Sequence, residues 1–314
     1  MEQQLTRIAV KIGSNVLTRR DGTLDVTRMS ALVDQIAGLH KAGVEIILVS
    51  SGAVASGRSE IHPTKKLDSV DQRQLFSAVG QAKLINRYYE LFREHGIPVG
   101  QVLTMKENFG TRRHYLNQKN CMTVMLENGV IPIVNENDTI SVSELMFTDN
   151  DELSGLIASM MDVQALIILS NIDGIYNGSP ADPASEVIRE IEHGKDLSSY
   201  IQTSKSSFGR GGMLTKTNIA RKVADEGITV IIANGKRDNI LTDILRNEEL
   251  RMKNEELKYT RFIPSPEPVS SVKKWIAHSE GFAKGELHIN ECATKILASD
   301  KAVSILPIGI TDVR

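Results

Sequence analysis

Residues 130–139 read VIPIVNENDT, an apolar run that passes without a break into polar residues. Short and nearly continuous apolar runs are typical of strands that are covered on both faces, as in a parallel sheet. Comparable runs lie elsewhere in the chain, at 7–12, 44–50, 97–104, 165–170 and 228–233. Together with 130–134, they predict the strands of a buried, mostly parallel sheet.

Helical patterns separate the predicted strands. From Met29 onward, apolar residues follow the spacing i, i+3, i+4, i+7 and i+10, and Gly43 lies just past the last of them. Further helices are predicted at about 71–95, 112–127 and 151–161. Strands that alternate with helices predict an α/β fold, a three-layer sandwich with a central mostly parallel sheet.

The composition is that of an ordinary globular protein. The chain has 314 residues, of which 41% are hydrophobic and 24% are charged, and its formal net charge is −2. This length is typical of about two domains. A net charge so close to zero gives no reason to expect RNA or a membrane as the main partner.

The sequence also bears on the compartment. Its first residues, MEQQLTRIAVKIGSN, lack the basic, apolar and small-residue pattern of a signal peptide. No apolar run approaches the roughly 18 residues needed to cross a bilayer. Cys121 and Cys292 stand alone, without the Cys or His neighbours of a zinc motif. We therefore expect a reduced, cytoplasmic protein.

The character of the chain changes near residue 250. Residues 251–270 are charged and then rich in proline and serine, which is typical of a linker. We predict a main domain at 1–250, a linker at 251–270 and a small unit at 271–314. The last segment is marginal in length for an independent core.

The predicted strands end in polar or glycine-bearing turns. In open α/β sheets, ligands bind beyond the carboxyl ends of the strands, so these turns form a candidate site. Such turns also carry glycine, serine, asparagine and aspartate simply as helix caps, and that interpretation stays open. The turns are Gly13-Ser14-Asn15, Ser50-Ser51-Gly52-Ala53, Asn135-Glu136-Asn137-Asp138 and Ser170-Asn171-Ile172-Asp173-Gly174.

Lys11 lies inside the apolar strand at 7–12, where an unpaired ammonium group is costly to bury. One interpretation is that its aliphatic stem carries the ammonium group to an edge of the sheet. The other is that it delivers a cation to a transferring phosphoryl group, where electrostatic stabilisation supplies most of the catalysis. We favour the second interpretation.

A glycine-rich loop, FGRGGMLTK at 208–216, leads into a further predicted helix. Its three glycines allow backbone N–H groups to converge on an anion, and a helix N-terminus favours negative charge. Lys216 gains nothing from the helix dipole in the first turn, so its position suggests a phosphate nearby. A flexible surface loop with a solvated lysine is the alternative.

These segments occur in one order along the chain. They are KIGS at 11–14, VSSGA at 49–53, NEND at 135–138, TDND at 148–151 and GRGGMLTK at 209–216. In this order and with these separations, the chain resembles the amino acid kinase family over about residues 5–245. The tail resembles the opening half of a PUA domain, which implies a short, incomplete β-rich segment after the kinase domain.

The resemblance implies roles for three ionic side chains. Lys11 and Lys216 would flank the γ-phosphoryl group of ATP and neutralise the charge that develops on it and on the leaving oxygens. Asp151 would hold the two lysines in place by ion pairing. These three residues would be the catalytic ones.

The resemblance also implies two sets of binding residues. Asp138 would suit the α-ammonium group of an amino-acid substrate. The family loop often has threonine where this chain has Arg210, so the local charge differs here. The substrate set is Ser51, Gly52, Ala53, Asn135, Asp138 and Asn150. The nucleotide set is Lys11, Gly13, Ser14, Ser170, Asn171, Arg210, Gly211, Gly212, Met213, Leu214, Thr215 and Lys216.

The reaction implied by the resemblance is ATP-dependent phosphorylation of the γ-carboxylate of L-glutamate, the first step of proline biosynthesis. A carboxylate of this kind titrates near pH 4, so it is already nucleophilic and needs no general base. Mg²⁺ would enter with the ATP phosphates. A homo-oligomer and feedback inhibition by L-proline are also implied, with the polar segment 58–75 as a mobile lid.

Two other functions stay open at this point. A kinase of the same fold could act on aspartate, N-acetylglutamate or carbamate, although a carboxylate at Asp138 favours a free α-ammonium group. A non-catalytic RNA-binding or regulatory protein could also use this scaffold. The presence of Lys11, Lys216 and Asp151 argues against a protein that has lost its catalysis.

Overall fold

The computed structural model describes most of the 314-residue chain. The described residues are 5–141, 147, 150–180, 182–194, 213–250, 257–267, 269–278, 285–297 and 304–314, without the side chains of residues 247–250 and 277. Their strands form an eight-stranded central sheet and a separate two-stranded sheet.

The central sheet matches the predicted strands closely. Its strands are β1 Arg7–Ile12, β2 Glu45–Ser50, β3 Val99–Thr104, β4 Ile131–Glu136, β5 Ala165–Ser170, β6 Glu190–Ile191, β7 Thr229–Asn234 and β8 Tyr259–Phe262. All of β1 to β5 and β7 begin and end within about two residues of a predicted strand, which is the usual uncertainty of element boundaries.

The strand order is β3–β4–β2–β1–β5–β7–β8–β6. The strands from β3 to β7 in this order run parallel, whereas β8 is antiparallel to β7 and parallel to β6. Lys11 pairs with Val49 on one side and Ile168 on the other, so it lies on a central strand. The predicted mostly parallel sheet is confirmed.

Helices connect the strands and cover the sheet. The described helices are α1 Ser14–Leu17, α2 Val26–Lys41, α3 Ala53–Arg58, α4 Ser69–Glu94, α5 Glu107–Gly110, α6 Arg112–Glu127, α7 Asn150–Met160, α8 Met213–Asp225, α9 Ile240–Leu250, α10 Ser271–Ala277 and α11 Glu291–Leu297. None of the helices that the structure describes is long and apolar enough to cross a membrane.

Alternate residues of β1 face two different cores, because successive side chains of a strand point to opposite faces. Ile8, Val10 and Ile12 belong to a core with α2, α4 and α9. Ala9 belongs to the other core, with α6, α7 and α8. The predicted three-layer sandwich is therefore confirmed, and Lys11 points to the same face as Ala9, toward α7.

The central sheet extends past the predicted domain boundary. β8 lies inside 251–270, which the sequence predicts to be a linker, yet Tyr259 and Phe262 are buried. The strand pairs with both β7 and β6. A strand of only four residues beside a charged segment has too weak a pattern to be recognised. β8 therefore belongs to the main sheet, while the boundaries of the domains stay a prediction.

The predicted tail at 271–314 also departs from expectation. Its first element, α10, packs on the main domain, where the Trp275 indole N–H donates to the Phe109 carbonyl at 2.9 Å. Farther along, strands β9 Leu287–Ile289 and β10 Ile310–Val313 form the antiparallel two-stranded sheet. The PUA-like character of this last part stays a prediction.

Candidate active site

The strand order brings the predicted turns together at the carboxyl ends of the parallel strands. β1 lies near the middle, with β2 and β4 on one side of it and β5 and β7 on the other. Since these strands are parallel, the residues that follow them lie at the same carboxyl edge. Ser51 and Asn135 therefore lie on one side of Lys11, and Ser170 lies on the other.

Asp151 joins the two predicted lysines. It lies in the first turn of α7, and it is fully buried. Lys11 forms an ion pair with one carboxylate oxygen, and Lys216 Nζ lies 2.6 Å from the other, Oδ2. The lysine side chains are only 6% and 14% exposed. The structure thus brings together the three residues predicted to be catalytic, from β1, α7 and α8.

The charges of this cluster determine what it can bind. Burial alone would raise the pKa of Asp151, but the charges and hydrogen bonds of Lys11 and Lys216 outweigh burial and lower it. The N-terminal end of α7 favours the carboxylate further. Two ammonium groups against one carboxylate leave one net positive charge. The cluster is therefore suited to an anionic group.

Gly13 has no side chain beside these charges. A Cβ built at Gly13 would lie 3.6 Å from Lys11 Nζ and 3.1 Å from the Leu169 carbonyl oxygen. The backbone N–H of Gly13 donates to that carbonyl at 3.0 Å, so this N–H is already engaged within the protein. Ser14 opens α1 and is exposed. Gly13 serves the site through its missing side chain.

Amide side chains connect the predicted substrate residues. Asn150 donates to Ser51 Oγ at 2.8 Å and to Asn135 Oδ1 at 3.0 Å. Asn135 donates in turn to Gln81 Oε1 on α4, at 2.8 Å. Because Asn150 precedes Asp151, this chain of hydrogen bonds links the predicted substrate side to the lysine–aspartate cluster.

Gly52 and Ala53 form the turn from β2 into α3. Gly52 has φ +110°, a left-handed conformation that glycine adopts without strain. Ala53 is the first residue of α3 and is buried. The turn places the start of α3 directly after Ser51, so all three predicted residues lie at the carboxyl end of β2.

Asp138 is paired with an arginine that the sequence did not single out. Arg73 of α4 donates through Nε to Asp138 Oδ1 at 2.7 Å and through a terminal nitrogen to Glu136 Oε2 at 2.7 Å. Glu136 also accepts from Ser141 Oγ and from the Phe147 N–H, both at 3.1 Å. Burial and the charge of Asp138 raise the pKa of Glu136 despite the opposing effect of Arg73.

A second polar cluster lies at the ends of β5 and β7, on the predicted nucleotide side. Ser170 is buried, and its carbonyl accepts from the Gly235 N–H at 2.8 Å. Asn171 is exposed. Asn234 donates to Asp173 Oδ1 at 3.0 Å, which ties the two turns together.

The remaining predicted nucleotide residues follow the glycine-rich loop. Met213, Leu214 and Thr215 form the first turn of α8 together with Lys216. Arg210, Gly211 and Gly212 lie outside the described residues.

Sequence reasoning missed several polar residues of this edge. Glu136 lies within the candidate turn at 135–138 but was given no role of its own, and Asn234 ends β7, where the rule that identified the other turns could have found it. Arg73 and Gln81 lie eight residues apart on α4, about two helical turns. Nothing local distinguishes them from the solvated polar face of an ordinary helix.

Comparison with known proteins identifies the class. Residues 6–234 match the amino acid kinase family. This match spans the central sheet through β7 and includes both Lys11 and Lys216. The chain belongs to the amino acid kinase family.

Within this family, the chain is similar to curated glutamate 5-kinases. The chain is 86% identical over 314 residues to the glutamate 5-kinase of Bacteroides thetaiotaomicron, covering 100% of this chain and 86% of that protein. It is 48% identical over 310 residues to the glutamate 5-kinase of Chlorobaculum tepidum, covering 98% of this chain and 83% of that protein.

Solved structures share the fold at low sequence identity. The isopentenyl phosphate kinase of T. acidophilum, in a product complex, matches with a TM-score of 0.56 and 14% identity, covering 82% of this chain and 100% of that chain. The UMP kinase of Ureaplasma parvum matches with a TM-score of 0.54 and 16% identity, covering 83% and 100%. At such identities the likeness concerns the fold alone.

Proposed function

We propose that the protein transfers the γ-phosphoryl group of ATP to the γ-carboxylate of L-glutamate, giving L-glutamate 5-phosphate and ADP, the first step of proline biosynthesis. The observation that carries this proposal is the pairing of Lys11 and Lys216 with one buried carboxylate, Asp151, at the carboxyl edge of the sheet. The 86% identity to a glutamate 5-kinase supports the choice of substrate.

The transfer is a direct displacement. An oxygen of the glutamate γ-carboxylate forms a bond to the γ-phosphorus while the bond from that phosphorus to the β–γ bridging oxygen breaks, and ADP takes the electron pair. Lys11 and Lys216 neutralise the charge on the transferring group and the leaving oxygens. Fixed charges in a site of low dielectric act strongly and need little reorganisation during the reaction.

Asp151 acts through the two lysines. Its buried carboxylate fixes the two ammonium groups on either side of itself. Without that carboxylate, two like charges would repel each other and move apart. Asp151 is thus the residue that keeps both cations close enough to contact one phosphoryl group.

The substrate is held on the β2 and β4 side of the cluster. Asp138 receives the α-ammonium group, while Ser51, Asn135 and Asn150 offer polar groups to the carboxylates. N-acetylglutamate and carbamate lack a free α-ammonium group, so a carboxylate gives them no favourable partner. Aspartate keeps the ammonium group but is one methylene shorter, which displaces its side-chain carboxylate from the phosphoryl group.

ATP lies on the β5 and β7 side, where Ser170, Asn171 and the first turn of α8 would contact it. The single net positive charge of the lysine–aspartate cluster does not neutralise a triphosphate. Mg²⁺ bound to the ATP phosphates would supply the remaining neutralisation. Because Gly13 has no side chain, a phosphate oxygen could approach the Lys11 ammonium group from this side.

Feedback inhibition by L-proline, a homo-oligomeric state and a cytoplasmic location complete the proposal. The segment 58–75 was expected to be the mobile lid, but α4 begins at Ser69, so the connection between α3 and α4 is only 59–68. Activity that does not change at millimolar proline would contradict the inhibition. Light scattering of the purified protein measures the oligomeric state.

Lys216→Met tests the charge role of the cluster. Methionine has a side chain of similar length but carries no charge. In a hydroxamate assay with L-glutamate, ATP and Mg²⁺, we expect kcat to fall by about 10²–10³-fold, as for the loss of one transition-state donor. The KM for glutamate should change little, because Lys216 acts on the phosphoryl group.

Lys222→Met on the same helix is the matched control, and we expect no comparable loss of kcat from it. Full activity of Lys216→Met would contradict the proposed role of the lysine. Wild-type protein that phosphorylates aspartate or N-acetylglutamate in preference to glutamate would contradict the proposed substrate.

A further inference from the structure

Arg73 bridges two carboxylates at the substrate side of the site. It lies in the second turn of α4, and its side chain is 22% exposed. Its Nε donates to Asp138 Oδ1 and a terminal nitrogen donates to Glu136 Oε2, with both hydrogen bonds at 2.7 Å. The side chains of Glu136 and Asp138 are only 4% and 9% exposed, so Arg73 screens two carboxylates that lie largely away from water.

The two carboxylates are in different situations. Glu136 accepts from Arg73, from Ser141 Oγ and from the Phe147 N–H. A carboxylate offers about four acceptor positions, so these bonds use most of them. Glu136 is therefore engaged in holding the segment after β4. Asp138 is the carboxylate of this pair to which the proposed function assigns the α-ammonium group of glutamate.

The net charge of this group matches a single ammonium group. Glu136 and Asp138 carry two negative charges, and Arg73 carries one positive charge. One negative charge is left over. Without Arg73, the pair would carry two negative charges in a largely buried place, which opposes the ionisation of Asp138 and so weakens its attraction for an ammonium group.

The position of Arg73 is fixed by its own helix. Gln74 donates to the Thr139 carbonyl at 2.8 Å, and Gln81 accepts from Asn135 at 2.8 Å. These contacts lie on both sides of Asp138 in the sequence. The register between α4 and the turn after β4 is therefore set independently of Arg73, so changing Arg73 should not detach the helix.

We propose that Arg73 is a positioning residue for glutamate recognition, because it orients Asp138 and balances its charge so that Asp138 accepts the α-ammonium group. This inference rests on the proposed function. Arg73 acts through Asp138 and takes no part in the phosphoryl transfer, so its effect belongs to substrate binding rather than to the chemical step.

The test compares Arg73→Met and Arg73→Lys with wild type. For Arg73→Met we expect the KM for L-glutamate to rise by about tenfold or more, the usual effect of losing a hydrogen bond to a charged group. The kcat and the KM for ATP should stay near wild type. In Arg73→Lys the KM for L-glutamate should rise less, because lysine keeps the positive charge but lacks the two adjacent N–H donors of the guanidinium.

Glutarate distinguishes positioning from a general structural effect. It has the two carboxylates of glutamate but no α-ammonium group, so its inhibition constant against glutamate should not change in Arg73→Met. Arg87→Met is the matched control, since Arg87 forms a half-exposed ion pair with Glu90 on the same helix, and it should leave every constant unchanged.

An unchanged KM for glutamate in Arg73→Met would overturn the inference, and so would a parallel loss of glutarate inhibition and kcat. If Arg73→Met does not fold, Arg73→Lys decides, because an unchanged KM in that variant would exclude a role for the two adjacent N–H donors. Wild-type protein that does not turn over glutamate would overturn the proposed function itself, before any variant is compared.

Discussion

Asp151 places two ammonium groups within reach of one ligand. Its carboxylate is the shared partner of Lys11 and Lys216, and all three side chains are largely buried. A buried ion pair contributes little net stability when it is intact, yet it becomes strongly destabilising when one partner is removed. The stability of the protein and its chemistry therefore depend on the same carboxylate.

Asp151→Asn should lower the free energy of unfolding by about 3–5 kcal/mol at pH 7, because two buried lysines lose their counter-charge. The pKa of Asp151 is lowered in the folded state, so its contribution is present above the ordinary value of about 3.9 and is lost as the pH falls below it. The difference from wild type should therefore shrink in acid. Urea unfolding at pH 7 and near pH 3 measures it.

Asp243→Asn is the control for this prediction. Asp243 lies in the first turn of α9, as Asp151 lies in the first turn of α7, but it is exposed. We expect almost no change in unfolding from this substitution. A difference between Asp151→Asn and wild type that persists unchanged at low pH would contradict the electrostatic explanation.

At the scale of elements, α3 and α4 cross at backbone contact. A Cβ at Gly57 would lie 1.9 Å from the Phe76 carbonyl oxygen, and one at Gly80 would lie 1.8 Å from the Ala53 carbonyl oxygen. These two glycines permit the crossing. Since α3 starts at the substrate turn and α4 carries Arg73, the crossing sets the spacing between the two walls of the substrate side.

Gly80→Ala should push α3 and α4 apart. We expect a loss of about 1–3 kcal/mol in unfolding free energy, as for other overpacked sites, and a higher KM for glutamate. Thermal unfolding and steady-state kinetics measure the two effects. A variant that equals wild type in both would show that the crossing tolerates a side chain.

Gly38→Ala on α2 provides the contrast. A Cβ at Gly38 would meet no atom within 4 Å, so the substitution adds helix propensity without a clash. We expect the free energy of unfolding to rise by about 0.5–1 kcal/mol, with kcat and KM unchanged. Changes of opposite sign in the unfolding free energy of Gly80→Ala and Gly38→Ala would distinguish the effect of packing from that of helix propensity.

α10 ties the C-terminal part of the chain to the main domain. Lys274 pairs with Asp162 just past the end of α7, at 3.0 Å. His278 lies 2.7 Å from Glu226, just past the end of α8. Because α7 carries Asp151 and α8 carries Lys216, one short helix braces the far ends of two helices that contribute to the lysine–aspartate cluster.

Trp275→Ala should weaken this attachment. The indole donates to the Phe109 carbonyl and lies under the Arg112 guanidinium, with 5.4 Å to the ring centroid. We expect the free energy of unfolding to fall by about 2 kcal/mol, which is less than for a fully buried tryptophan. Proteolysis after residue 270 should also become faster. Ile276→Ala, at a more exposed neighbouring position, should have little effect. Equal proteolysis of the two variants would contradict the bracing role.

Most of the sheet was predictable because its strands are buried on both faces and read as apolar runs. β8 was not, since YTRF has only two apolar residues, and the adjacent polar residues Thr260 and Arg261 separate them. The residues of the candidate site likewise fall into those that the sequence predicts and those that it does not. Lys11 and the strand-end turns could be recognised from the chain itself, whereas Arg73 acquires its role only when α4 packs beside β4. A helix surface carries no local mark of such a partner.

The central position of β1 in the sheet affects how the chain folds while it is being synthesised. This strand is synthesised before the other strands of its sheet, yet its second neighbour, β5, begins only at residue 165. Until then, an apolar strand with one unpaired edge is open to pairing with other nascent chains. Prematurely terminated products that end before β5 should therefore collect as insoluble material and depend on chaperones to remain dispersed.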